Sequence, residues 1–115
     1  MAETQLFARA GAGSITETGP GVTRRVLLHT EELMLVEFTF EEGAIGALHS
    51  HAHVQGSYIA AGAFEVTIGD AVATLSAGDS FIVPSNAVHG VRAVEAGTLI
   101  DSFTPHRADF IESIT

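Results

Sequence analysis

The chain has no cysteine and no lysine. Without thiols neither a disulfide nor a thiolate ligand is available, so a bound metal has to sit on imidazole, carboxylate or amide groups. Without lysine, Schiff-base catalysis and the lysine of a phosphate-binding loop drop out. Positive charge of any kind is scarce: five basic residues stand against 14 acidic ones, a formal charge of −9. A chain this acidic repels phosphate backbones, which bind clustered cations, so nucleic acid is not an expected partner. No apolar run reaches the ~18 to 20 residues of a transmembrane helix, and the opening MAETQLFARA lacks a basic segment followed by an apolar one. The expectation is a cytoplasmic protein with no membrane partner.

What is present is β patterning. At 115 residues the chain is one domain, long enough to bury most of its apolar surface. Residues 1–22 hold Gly11, Gly13, Gly19 and Gly21 with little periodicity, which predicts an N-terminal arm with at most a short edge strand, able to pair with a second copy. Residues 23–104 read as the barrel and 105–115 as a C-terminal tail. Val26-Leu27-Leu28 is a short apolar run, closed by a turn at Glu31-Glu32. From Leu33 to Phe40, Met34, Val36, Phe38 and Phe40 fall on one face and Glu37 and Thr39 on the other. Phe64, Val66 and Ile68 alternate with Glu65 and Thr67, and Gly69-Asp70 suits a tight hairpin into Ala71. Gly78 is placed for a positive φ. Phe81-Ile82-Val83 reads as a short buried strand that Pro84 stops. His89 to Ala93 and Thr98 to Thr104 complete about eight short strands, an antiparallel sandwich or barrel with room for one small ligand.

The chemistry concentrates in GAIGALHSHAHVQGSYIAAG, residues 43–62, where His49, His51, His53 and Gln55 interrupt an otherwise apolar stretch. In an extended strand residues two apart share a face, which predicts that His49 and His51 point the same way. Two imidazoles on one face are half a metal site. Of the three histidines outside the cluster, His29 sits where a strand runs into a turn and His106 lies in the tail. His89, just after Pro84-Ser85-Asn86, is therefore the best candidate for a third.

Two spacings carry a family resemblance. Gly43, five residues, His49-x-His51, three residues, Gln55, six residues and Gly62 resembles the first cupin motif. Gly78, five residues, Pro84 and then His89 resembles the second. The resemblance implies a double-stranded β-helix, or jelly-roll barrel, with a divalent metal (nickel, zinc, iron or manganese) on His49, His51, Gln55 and His89. It implies no metal role for His53, expected behind the ligands or facing solvent. The sequence departs from the pattern in having Gln55 for glutamate, Asn86 for glycine and Ala93 for asparagine; asparagine tolerates the left-handed backbone that the glycine position asks for.

Gln55 matters most for chemistry. A glutamine offers a metal a carbonyl oxygen and no charge, so three neutral imidazoles and an amide leave a divalent cation uncompensated. The site is expected to want an anionic partner and to favour Lewis-acid work over redox cycling. Asp101-Ser102-Phe103-Thr104-Pro105-His106-Arg107 is similar to the tail of small cupins that open unsaturated uronate rings in pectin and alginate breakdown. That resemblance implies a pocket lined by Asp101, Phe103 and Arg107, with Asp101 moving a proton and Arg107 clamping a substrate carboxylate. Arg107 paired with Asp109 is the structural alternative. A non-catalytic metal- or ligand-binding cupin and an iron-dependent dioxygenase are the other functions in view, and a homodimer pairing through exposed strand edges is expected.

Overall fold

The structure, a computed structural model, describes residues 4–112. The first three residues of the expected arm and the last three of the tail lie outside the described residues. Among these, eight strands precede one short helix: β1 (Thr16–Gly19), β2 (Val22–His29), β3 (Met34–Phe40), β4 (Ile45–His49), β5 (Val54–Ile68), β6 (Ala71–Ser76), β7 (Ser80–Val83), β8 (His89–Thr104) and α1 (Ala108–Glu112). No described helix is long and apolar enough to cross a membrane.

All pairings are antiparallel, and two long strands organise them. The second half of β8 pairs β3 on one side, Phe103 opposite Met34, and the first half of β5 on the other, Phe103 opposite Gln55. That layer continues through β2 to the edge strand β1, and through β5 to β7. The first half of β8 pairs β4 and the second half of β5, and β6 extends this second layer beyond β5. Each long strand thus serves both walls of the barrel.

This corrects one expectation. Residues 89–93 and 98–104 are one strand of 16 residues. The apparent break is a bend, where the β5/β8 register shifts at Ile59, Ala61 and Ala63. The two backbones nearly touch there. A Cβ on Gly62 would overlap the carbonyl oxygen of Ala96, and one on Gly97 would overlap that of Ala61, so only glycine lets the walls fold over each other at this crossing.

Alternation predicts the buried face of β3 well: Met34, Val36 and Phe40 are buried, Phe38 partly so. The expected short buried strand Phe81-Ile82-Val83 is buried on one face only: Val83 is buried but Ile82 is 65% exposed, because a strand at the margin of a sheet packs on one side. The Gly69-Asp70 hairpin joins Ile68 to Ala71 as expected, and Gly78 has φ 96°. Asn86 takes φ 66°, the left-handed conformation its position asks for. Ala93, where the family pattern has asparagine, is fully buried and exchanges backbone hydrogen bonds with Gly43 and Ala44.

The core divides in two. Phe40, Ile59, Phe64, Val66 and Leu99 belong to one cluster, in which Phe40 meets Phe64 edge to face at 5.2 Å. Met34, Val36, Phe103 and Phe110 form the other, Phe110 being carried in by α1. Burying such side chains contributes about 1.5 to 3 kcal/mol each. A cavity of about 220 Å³ lies between residues of both clusters, bounded by Phe40, Val66 and Leu99 of the first and Phe103 and Phe110 of the second.

Candidate metal centre

His49 closes β4, whereas His51 lies beyond it in the loop that leads to β5. The expected shared strand face is therefore not what aligns these two rings. Position comes instead from a clamp between loops: the Asn86 amide donates to the His51 carbonyl oxygen at 2.8 Å, and the Ser85 hydroxyl donates to that of Ala52 at 2.6 Å. The turn that follows Pro84 thus holds the histidine loop against the start of β8, where His89 pairs His49. Ring centroids are 4.4 Å apart for His49 and His89, 4.7 Å for His51 and His89, and 5.4 Å for His49 and His51. One nitrogen from each lies within 4.8 Å of the others, a group that could hold a metal ion.

The tautomers are set by the backbone. Nδ1 of His49 donates to Ala47 O at 2.9 Å, Nδ1 of His51 to His53 O at 3.0 Å, and Nδ1 of His89 to Ala87 O at 2.9 Å. A neutral imidazole protonated at Nδ1 carries its lone pair on Nε2, so three acceptors are left to converge. Burial lowers the pKa of His51 and His89 below the ordinary value, which favours these neutral rings; each backbone hydrogen bond opposes the shift, and the neighbouring charges add to it. Nε2 of His89 is buried with no hydrogen-bond partner.

Gln55, 6% exposed, fits the same set. Its amide nitrogen donates to the Ser57 hydroxyl at 3.0 Å and to Asp101 Oδ2 at 3.4 Å, which turns the carbonyl oxygen towards His51 Nε2 at 3.1 Å. With Nδ1 of His51 donating to His53 O, Nε2 and the Gln55 oxygen are both acceptors, and a bound cation would compensate their repulsion. Three imidazoles with an amide oxygen beside them are donors that would suit a divalent metal ion.

Asp101, on β8 opposite Ser57, is buried, and Oδ1 has no hydrogen-bond partner. Burial pushes its pKa up to about 7, with the Ser57 hydroxyl pulling the other way. Phe103 follows two residues later on the same face, 2% exposed, its ring 5.7 Å from that of His51 and crossed by the Arg107 guanidinium at 5.3 Å. Arg107 lines the cavity but also makes the ion pair that the sequence offered as its alternative: Nε and Nη2 donate to the two oxygens of Asp109 at 3.1 and 2.9 Å. This pair lowers the Asp109 pKa, against the effect of burial. His53 stands behind the cluster: Nε2 lies 3.2 Å from the His106 carbonyl oxygen, and the ring is 5.6 Å from His51. His29 and His106 stack on each other at 5.9 Å, apart from the centre.

Sequence reasoning missed Arg24, which lines the cavity and is 9% exposed. A signal was present. Val22, Arg24 and Val26 share strand parity, so an arginine stands where the pattern calls for an apolar side chain.

The cupin domain profile matches residues 36–103, and both motifs lie on the elements just described. The chain belongs to the cupin family. This cupin is 43% identical over 97 residues, 83% of its length, to the pectin degradation protein KdgF of Dickeya dadantii (strain 3937), of which the match covers 88%. Among solved structures it resembles an RmlC-like cupin from Shewanella frigidimarina NCIMB 400, with TM-score 0.89, 39% identity and coverage of 96% of this chain and 99% of that one. It also resembles KdgF from Halomonas sp., with TM-score 0.88, 37% identity and coverage of 93% and 99%.

Proposed function

We propose that this cupin is a metal-dependent enzyme that converts an unsaturated uronate to its linear keto form. The observation that carries the reading is the meeting of Gln55, His49, His89, Asp101 and Arg107 in one cavity, on a chain 43% identical to a pectin degradation protein. A divalent ion on His49, His51, His89 and the Gln55 oxygen would supply Lewis-acid polarisation of a substrate oxygen.

The chain's own residues account for the proton movements. Opening a cyclic hemiacetal takes a proton from the anomeric hydroxyl and returns one to the ring oxygen as the bond between that oxygen and the anomeric carbon breaks, leaving an aldehyde and an enol; the enol becomes a ketone when its vinylic carbon gains a proton and its hydroxyl loses one. Both steps conserve protons overall, so one carboxyl that gives and takes suffices. Asp101 is suited to this, since a pKa of about 7 populates both forms near neutrality and Oδ1 is left available while Oδ2 is held by Gln55. Arg107 holds the substrate carboxylate, its guanidinium fixed by Asp109 and by the Phe103 ring. Phe103 forms a wall between His51, 5.7 Å from its ring, and the Arg107 guanidinium, 5.3 Å from it.

The test is turnover of an unsaturated uronate beside the neutral analogue bearing a hydroxymethyl group in place of the carboxylate. Only the acid is expected to react at a useful rate. Equal turnover of both removes the basis for a carboxylate clamp. We also propose that the protein works as a homodimer, because Leu6 and Phe7 of the arm are 71% and 85% exposed, and Tyr58 and Ile82 present a further exposed apolar face.

A further inference from the structure

We infer that Arg24 is a specificity-determining residue which, with Arg107, selects a substrate for its anionic group. The inference rests on the uronate reading above and adds a residue from a part of the chain outside both motifs and outside the C-terminal segment.

Arg24 lies on β2 between Thr16 of β1 and Phe38 of β3, on the inward face shared with Val22. Its guanidinium carbon is 4.0 Å from the centre of the Phe110 ring, and that of Arg107 is 4.2 Å from the same centre. One buried ring on α1 therefore organises two cations that line the cavity holding Asp101, Gln55 and His89. Cations packed on an aromatic ring are held in place, so their direction does not depend on a substrate. Burying a guanidinium strips its water, a cost that the Phe110 ring offsets in part.

The wider charge distribution sharpens the point. The chain carries five basic residues and a formal charge of −9, yet two of those five meet at one cavity. Burial disfavours the charge on Arg24, Asp109 supports it through space and Arg107 opposes it. The imidazoles and the amide add no negative charge, and Asp101 is the acid that lines the cavity beside these two cations. A low-dielectric cavity with this balance draws a carboxylate and gives a neutral sugar of the same shape no comparable gain.

The experiment measures binding of galacturonate and of galactose, both unreactive here, to the metal-loaded protein by titration calorimetry, for the native chain and for Arg24→Lys, Arg24→Met and Arg107→Met. The native protein is expected to prefer the acid. Arg24→Met should cut that preference about tenfold, the size of one charge-assisted hydrogen-bonded contact, with galactose affinity and metal content unchanged. Arg24→Lys, which keeps the charge and the stem if the methionine variant fails to fold, should recover part of it. A preference that survives in both Arg24 variants but disappears in Arg107→Met overturns the role of Arg24 and leaves the uronate reading standing. Equal loss of both sugars assigns Arg24 to packing and overturns it too. A native protein indifferent to the carboxylate removes the uronate reading itself, and this inference with it.

Discussion

Asp101→Asn keeps the shape of a buried side chain and removes its titration, so its effect on stability should depend on pH in a defined direction. In the folded chain burial raises this carboxyl from 3.8 to about 7. The folded state therefore binds a proton that the unfolded chain has released throughout that interval, and stability falls as pH rises through it. Below 3.8 both states are protonated and nothing is lost; above 7 the loss is complete, on the order of 4 kcal/mol at 1.36 kcal/mol per unit. Between pH 5 and pH 8 the asparagine variant should gain about 2 to 3 kcal/mol on the native chain. His51 and His89 act the other way: their lowered pKa values make the unfolded chain the better proton acceptor, so acid weakens the fold below the ordinary histidine range. That contribution is common to both proteins and cancels in the difference. The assay is urea unfolding of chelator-stripped protein at a series of pH values, with metal-loaded samples beside it. A cation in the cavity favours the carboxylate, so loading should flatten the pH dependence. A stability difference that stays constant from pH 5 to pH 8 refutes the reasoning, because it means that Asp101 titrates as an exposed acid does.

Two other outcomes follow from the site and the surface. His89→Ala removes a buried ring whose Nε2 has no hydrogen-bond partner, and it should reduce bound metal at least tenfold in elemental analysis of untagged protein without unfolding the barrel; full metal content in the variant contradicts the proposed ligand set. The proposed homodimer should scatter light with twice the mass of the 12.0 kDa chain, and a monomer mass across the micromolar range contradicts it.

How much of this was legible in the sequence depends on the distance over which the cause acts. Alternation in Met34 to Phe40 and the Gly69-Asp70 hairpin follow from neighbours in the chain, and both were readable. So was the meeting of His89 with His49 and His51, though only through the spacing of two motifs. The continuity of β8 was hidden, because a bend at Gly97 and a turn look alike until the opposing Ala61 carbonyl is known. His51 was assigned to a strand that ends at His49, since the clamp from Ser85 and Asn86 comes from more than 30 positions away. Arg24 is disguised by its neighbours Thr23 and Arg25 as part of a polar run, and its shared parity with Val22 and Val26 is the signal that sets it apart.

The amide at position 55 links the two halves of the proposed chemistry. A glutamate there would give a metal a charged oxygen but would have no hydrogen to donate to Ser57 or to Asp101 Oδ2, now 3.4 Å from the amide nitrogen. Two carboxylates at that separation repel, and one of them would hold a proton well above neutral pH. Either the acid at 101 would stop exchanging its proton, or the ligand at 55 would lose the charge that distinguishes it from glutamine. With glutamine the same side chain presents oxygen to the imidazole cluster and hydrogen to the acid, so a buried carboxyl can stand beside the imidazole cluster without a second charge next to it. In the proposed chemistry the charge missing from the ligand set is left for a substrate carboxylate to provide, in the cavity that Arg24 and Arg107 also line.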